Sequence, residues 1–403
     1  MAVLATGILT PGQEAQPPAN QKGSGSAAGG NADPRTGPTA DSLTVKVNVN
    51  LVPMRLVVRD AHGQAVGNLR KEDFRILDKG KPQIISQFSV EKGVVEAGDE
   101  QERANGAAGP GRFVVYIFDD VHLQFGDLAH AREAFEHQVS SLRPTDRAGI
   151  VTTSGRTVLD FTSDRAKLRQ VSELVRPTPT GGASGCLKMS YFVADQIQNK
   201  HNGMMLRALA TDAAHCEIPT RSLPQTVSSI AQQELAIGQQ EAHNILAALK
   251  NVVQSISTLP AQKIIILVSP GFIIPDLEFE YSELIDQALR SQVIVSTLDA
   301  RGVYVVLPGE SSEEKAANSQ VLALLAEGTG GGYFRSNNDL NEGFRLLTEP
   351  PQYSYLLGFA PQDLKEDGKF HKLEVKGPKN ATIQARPGYY APKRAKEHSQ
   401  PAK

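Results

Sequence analysis

Two adjacent carboxylates follow a strongly apolar segment of this 403-residue chain. Asp119 and Asp120 come directly after Phe113–Phe118, and His122 lies two residues beyond the second aspartate. Adjacent carboxylates are costly to bury together unless a cation, an arginine or a proton compensates their charge. These residue types therefore point to two kinds of chemistry, which are divalent-cation binding and acid–base catalysis.

Hydroxyl and carboxyl side chains also follow other apolar segments of the chain. Ser154 comes shortly after the segment 148–152, Ser269 follows the segment 264–268, and Asp299 follows the segment 293–298. In an open α/β sheet, ligands bind beyond the carboxyl ends of the strands. We therefore expect a binding edge there. Its predicted members are His122, Gln124, Ser154, Thr180 and Asp299.

The elements that must position these residues alternate between strands and helices. The apolar runs are typical of strands that are buried on both faces of a parallel sheet. Between the first two runs, Leu128, Ala131, Phe135 and Val139 recur at helical spacing, and Pro144 follows. The pattern predicts an α/β fold with a doubly wound, mostly parallel sheet.

Segments with alternating apolar and polar residues lie on both sides of this α/β region. Before it, Leu43–Leu51 and Met54–Val58 have the period of half-buried strands. After it come the segments 353–359, 370–375 and 382–385, and Asp367-Gly368 favours a hairpin between the first two. We expect flanking antiparallel strands. They form either one split β-sandwich, into which the α/β domain is inserted, or separate β-modules.

Composition shifts along the chain suggest its domain boundaries. The predicted parts are a leader remnant and disordered tether at 1–41, an N-terminal β-domain at 42–100, a linker at 101–111, the α/β domain at 112–350 with an insertion at 178–225, C-terminal β-strands at 351–392 and a disordered tail at 393–403.

Charge and hydropathy exclude two classes of partner. The formal net charge is -2, with 42 Lys and Arg against 44 Asp and Glu, so no bulk positive charge is available for nucleic acid. The sequence contains no run of about 18 apolar residues, so no transmembrane segment is predicted.

The compartment depends on the leader and on the only two cysteines. Met1–Thr10 is apolar but has no Lys or Arg, so it is either the end of a signal peptide or a disordered N-terminus. A disulfide between Cys186 and Cys216 would stabilise the fold by about 3–4 kcal/mol in an oxidising compartment. Two buried free thiols are the alternative. We expect a secreted or periplasmic, cell-envelope protein.

The order of elements and the acidic strand end resemble the von Willebrand factor A domain. In that family the first strand ends in Asp-x-Ser-x-Ser, whereas Val121 and Leu123 stand at the serine positions here. Serine also replaces the aspartate that the family has after its fourth strand. The resemblance implies a degenerate metal-ion-dependent adhesion site for Mg²⁺ or Mn²⁺. Its implied ligands are Asp119, Asp120, Ser269 and Ser184, with Thr180 as the alternative to Ser184.

More specifically, the chain resembles the VWFA-related family known chiefly from acidobacterial genomes. The matching segments are Val57–Asp60, Gly63, Val66, Leu69, Glu72–Phe74, Gly80, Phe118–Asp120, Val268–Phe272, Leu298–Gly302, Tyr355–Gly358 and Ala385–Tyr390. Members of that family look like exported proteins without an established activity. The resemblance therefore implies adhesion or scaffolding, with a protein or a surface polymer as the partner.

Enzymatic alternatives fit the sequence less well. Ser154, His122 and Asp120 could form a catalytic triad, but the sequence has no Gly-x-Ser-x-Gly nucleophile elbow. An Asp-x-Asp phosphatase would need a second aspartate where Val121 stands. The sequence thus predicts a non-enzymatic binding or scaffold protein. The alternative is a hydrolase or another metal-dependent enzyme that uses the Asp119/Asp120 edge.

Overall fold

The computed structural model describes residues 51–93, 111–179, 187–216, 220–304, 311–362 and 367–392. Its strands are β1 (Val52–Arg59), β2 (Arg75–Asp78), β3 (Lys81–Gln83), β4 (Ile85–Lys92), β5 (Arg112–Phe118), β6 (Asp146–Thr152), β7 (Val158–Thr162), β8 (Gln262–Ser269), β9 (Val293–Asp299), β10 (Tyr333–Phe334), β11 (Tyr353–Phe359), β12 (Phe370–Lys376), β13 (Thr382–Gln384) and β14 (Gly388–Tyr390). Its α-helices are α1 (Phe125–Ser141), α2 (Arg165–Ser172), α3 (Tyr191–Gln198), α4 (Gly203–Ala213), α5 (Leu223–Ile256), α6 (Glu278–Arg290), α7 (Ser312–Thr329) and α8 (Leu340–Thr348).

A six-stranded sheet with the order β10-β9-β8-β5-β6-β7 carries the candidate site. Its strands are parallel except for β7, which pairs antiparallel with β6 at one edge. Every residue of β5 and β9 is buried, which explains why these strands are continuous apolar runs in the sequence. The predicted doubly wound, mostly parallel sheet is confirmed.

Helices cover both faces of this sheet. One face packs against α1, α2 and α8, around a core that includes Tyr116, Phe135 and Phe344. The other face packs against the second half of α5 and against α6 and α7. The two covered faces explain why the strands have no polar side in the sequence.

Between α2 and the second half of α5, the chain forms a separate helical layer. The helices α3 and α4 and the first half of α5 enclose their own apolar cluster. The close approach of α3 to α5 depends on Gly238, because a Cβ atom there would lie 2.1 Å from the Tyr191 ring. Cys216 packs against this cluster, whereas Cys186, Thr180 and Ser184 lie outside the described residues.

The remaining strands form one β-sandwich from both ends of the described chain. Its sheets have the orders β13-β1-β11-β4 and β14-β12-β2-β3. The strand β1 pairs antiparallel with β11, so that Met54 lies opposite Leu357. A shared apolar core that includes Leu56, Ile76 and Phe359 fills the space between the sheets. Of the two predicted alternatives, the split β-sandwich is therefore correct.

The hairpin predicted around Asp367-Gly368 is wrong. The strand β11 pairs with β1 and β4, whereas β12 pairs with β2 and β14 in the other sheet. Alternation identifies a half-buried strand but not its partner. Here the partners come from the N-terminal strands, which the local pattern around Asp367 cannot reveal.

Two buried arginines connect the β-sandwich to the α/β part. Arg55 of β1 donates to the Thr329 carbonyl, at the C-terminus of α7, over 3.0 Å. Arg386 donates to the Asp286 carboxylate and to Ser282 Oγ on α6. A cation at a helix C-terminus also interacts favourably with the helix dipole. The sandwich is thus attached through specific polar contacts as well as through apolar packing.

Within the described residues, no helix combines the length and the apolar character that crossing a membrane requires.

Candidate functional site

The site lies where β5 and its two neighbours in the sheet end. The Asp119 amide donates to the Val268 carbonyl of β8 over 2.9 Å. On the other side, the Thr153 amide donates to the Phe118 carbonyl over 3.0 Å. These backbone contacts bring the residues that follow β5, β6 and β8 to one point. The parallel order of the strands therefore explains why residues distant in sequence meet here.

Asp119 is fully buried, and both of its carboxylate oxygens accept hydrogen bonds. Ser269 Oγ lies 2.6 Å from Oδ2, and Thr153 Oγ1 lies 3.1 Å from Oδ1. His122 Nδ1 is 3.1 Å from Oδ2. Ser269 Oγ in turn accepts from the Gly271 amide over 2.9 Å, which orients its own proton towards the carboxylate.

Asp120 is held by the turn after β6. The Ser154 amide donates to Oδ1 over 2.9 Å, and Ser154 Oγ donates to Oδ2 over 2.5 Å. Thr153 Oγ1 lies 3.1 Å from Asp120 Oδ1 and equally far from Asp119 Oδ1. A hydroxyl has one proton, so Thr153 serves only one of the two carboxylates at a time.

His122 supplies the positive charge that the buried Asp119 requires. Its Nε2 lies 3.6 Å from Glu241 Oε2 on α5, and its ring stacks on Phe272 with an interplanar angle of 11°. Burial alone lowers the pKa of His122, but Asp119 and then Glu241 more than reverse this effect and raise the pKa to about 10. Correspondingly, burial raises the pKa of Asp119, and His122 and Ser269 more than reverse this, which leaves the pKa lowered. An internal imidazolium–carboxylate pair is therefore present at neutral pH.

This arrangement does not fit a hydrated divalent cation. The Asp119 oxygens already accept from Ser269, Thr153 and His122, and a protonated imidazole repels a metal ion. Across the described ranges, no group of three or more His, Cys, Asp or Glu side chains could hold a metal. The implied ligand Ser184 and its alternative Thr180 lie outside those ranges. The donors that the structure describes thus form a hydrogen-bonded network of their own.

The other predicted edge residues have different surroundings. Ser154 is half-buried beside Asp120, whereas Gln124 is exposed at the start of α1. Asp299 is buried, but its carboxylate is bound by Arg301, at 2.8 Å and 2.6 Å. Asp299 therefore takes part in a separate ion pair. The structure brings together Asp119, Asp120, His122, Ser154 and Ser269.

Sequence reasoning missed two residues of this edge, Glu241 and Phe125. The position of Thr153 directly after β6 does predict that it lies at this edge, where it bridges the two aspartates. Glu241 carries no such signal, because the position of α5 relative to the sheet is a tertiary property. Phe125 is 70% exposed at the start of α1 and adds an aromatic side chain to this edge, next to Gln124.

The strand order and the single antiparallel edge strand define a doubly wound α/β domain. No family model matches the chain, and no curated protein matches its sequence. Similar solved structures include the conserved hypothetical protein BatB from Bacteroides thetaiotaomicron, with 13% identity over 59% of this chain and 97% of that one, and a TM-score of 0.31.

Two further structures show the same level of similarity. The N-terminal domain of TFIIH p34 is 10% identical over 59% of this chain and 96% of that one, with a TM-score of 0.29. The human COPII-coat protein Sec24c is 10% identical over 76% of this chain and 46% of that one, with a TM-score of 0.24.

Proposed function

We propose that this chain is a non-enzymatic binding protein related to the acidobacterial VWFA-related family. It engages a protein or a surface polymer at the carboxyl edge of its von Willebrand A-type sheet, without a bound metal ion. The observation that carries the proposal is the saturated Asp119 network, in which Ser269 and His122 occupy the lone pairs that a metal or a substrate would need. The exposed side chains of Phe125 and Gln124 are then the groups left to contact a partner.

The hydrolase alternative finds less support in this geometry. A triad requires a hydrogen bond from the nucleophile to the base. Ser154 Oγ instead donates to Asp120, and His122 Nε2 faces Glu241 Oε2 at 3.6 Å. The hydroxyl of Ser154 and the Nε2 atom of His122 thus have other partners, and His122 is not placed to take the proton of Ser154.

Peptides selected from a displayed library on the immobilised full chain should bind equally well with EDTA and with Mg²⁺. Phe125→Asp should weaken their binding by about tenfold, because an exposed aromatic anchor is lost. Leu174→Asp is the matched control, since Leu174 is 63% exposed and lies outside this edge. Calorimetry with Mg²⁺, Mn²⁺ and Ca²⁺ at millimolar concentration should show no heat above that of buffer. Binders that are lost in EDTA, or a selection that yields none, would contradict the proposal.

We also propose export to the cell envelope or the exterior, with a disulfide between Cys186 and Cys216. Cys216 packs against the apolar cluster that α3, α4 and the first half of α5 enclose. This position supports a disulfide that closes the helical layer formed by these helices. Thiol titration of denatured, unreduced protein from the native host should find no free thiol, and prior reduction should release two. Two free thiols before reduction would reject the disulfide and weaken the case for export.

A further inference from the structure

We infer that a groove next to the Asp119/Asp120 edge binds a peptide segment of a partner protein, and that this segment is apolar and positively charged. The inference rests on the proposed binding function and names a second surface and the chemistry of its partner. It depends on three properties of the groove, which are its apolar walls, an incompletely hydrogen-bonded carboxylate and an exposed aromatic extension.

The groove lies where the separate helical layer that contains α3, the α/β layer and the β-sandwich meet. Its volume is about 400 Å³. Its walls come from α3, the segment after β8, α6, α7 and the sandwich. Most of its lining is apolar, including Phe192, Ile274, Pro275, Leu324 and Phe370. This volume is within the usual range for ligand sites and accommodates a few side chains of a peptide.

The charged side chains that line the groove in the described part of the chain are both acidic. Asp195 comes from α3 and Glu278 from the first turn of α6, and no Lys or Arg is among the described lining residues. Asp195 is only 5% exposed, and its Oδ1 accepts from Asn199 Nδ2 over 2.8 Å. Within the described ranges, its second oxygen has no hydrogen-bond donor. Buried carboxylates are normally paired, so this oxygen is available to a cationic donor from a ligand.

The apolar surface continues beyond the groove along exposed aromatic rings. Phe279 is 52% exposed and lies edge-on to Tyr390, with ring centroids 6.0 Å apart. Phe370 is 36% exposed, and its ring lies 5.4 Å from the same tyrosine. Aromatic side chains are enriched in protein interfaces. A surface that extends past the groove fits a polypeptide segment better than a small molecule.

The segment after β8 connects this groove to the Asp119 network. Ser269 bonds to Asp119, and Phe272 stacks on His122. The next residues, Ile273 to Pro275, line the groove. Because one short segment contributes to both surfaces, a single extended partner could contact the groove and the edge together.

Fluorescence anisotropy of labelled synthetic peptides with the full chain tests the inference. A peptide of alternating Leu and Lys should bind, whereas alternating Leu and Glu, or Ser and Lys, should bind at least about tenfold more weakly. Asp195→Asn and Glu278→Gln should each weaken binding about five- to tenfold, because each removes one opposite charge. Ala317→Trp, which fills the groove, should abolish binding. Glu313→Gln on α7, which is exposed outside the groove, is the control and should change nothing.

Several results would overturn the inference. Undiminished binding to Ala317→Trp would exclude the groove, and equal binding of the Leu/Glu peptide would exclude charge complementarity. If Phe125→Asp abolished binding of the Leu/Lys peptide while Ala317→Trp did not, the peptide would bind at the Asp119 edge. The proposed function would then stand and the groove would not. A library selection without any binder would instead reject the proposed function itself.

Discussion

Replacing Asp119 by alanine is expected to lower the free energy of unfolding by about 3–5 kcal/mol. The substitution leaves the hydroxyl proton of Ser269 without its acceptor in a buried site, whereas Thr153 can still donate to Asp120. It also leaves the His122 imidazolium without its main counter-charge. Breaking a buried charge pair by removing one partner costs more than the pair itself contributes, because the remaining charge stays desolvated.

Urea unfolding of the full chain followed by circular dichroism gives the measurement. Asp212→Ala is the matched control, because Asp212 is exposed on α4 and should change the free energy of unfolding little. Asp119→Asn should lose less than the alanine variant, because the amide oxygen still accepts from Ser269. A loss for Asp119→Ala no larger than that for Asp212→Ala would show that the network does not stabilise the fold.

The same pair predicts how the effect depends on pH. The folded-state pKa of His122 is about 10, above its ordinary value of 6.5. Its contribution is therefore complete below 6.5 and is lost as the pH rises towards 10. The pKa of Asp119 is lowered from 3.8, so its contribution is present above that value and lost in stronger acid. The stability difference between the wild type and His122→Ala should shrink from about pH 6 to about pH 10, and a constant difference would contradict the ion pair.

The strands that carry the site could be predicted from the sequence for a simple reason. A strand buried on both faces has no polar side, so β5, β8 and β9 are recognisable as apolar runs. The hydroxyl or carboxyl residue after each run then had a predictable position at one edge. The parallel pairing of β5 with β8 then brings Ser269 to Asp119, 2.6 Å apart across 150 residues of sequence.

Other features depend on tertiary contacts that local patterns do not encode. The helix α5 begins at Leu223, but the apolar residues that pack against the sheet recur at helical spacing only in its second half, which contains Ile245. Its first half packs on α3 and α4 rather than on the sheet, so its apolar face points elsewhere. Glu241 lies between these halves, and its contact with His122 depends on the path of the whole helix.

A second large effect is expected at the connection between the β-sandwich and the α/β layer. Arg386 is 2% exposed and donates to Ser282 Oγ and Asp286 on α6. It also donates to the carbonyls of Gly388 and Pro53, at 2.7 Å and 3.3 Å. One guanidinium therefore connects both chain segments of the sandwich to the neighbouring helix. Arg386→Ala should lower the free energy of unfolding by about 3–5 kcal/mol, since several buried acceptors lose their donor at once.

The form of the unfolding curve separates a lost connection from general destabilisation. If Arg386 fixes the sandwich to α6, Arg386→Ala should convert one cooperative unfolding transition into two. In a hydrogen-exchange measurement, the backbone amides of β12 and β14 should then exchange before those of β8. Arg386→Lys should recover little, because an ammonium cannot reproduce the planar set of donors. Arg345→Ala is the control, because the exposed Arg345 pairs with Glu342 one helical turn away on the same helix. A single, unshifted transition in Arg386→Ala would mean that apolar packing alone holds the two layers together.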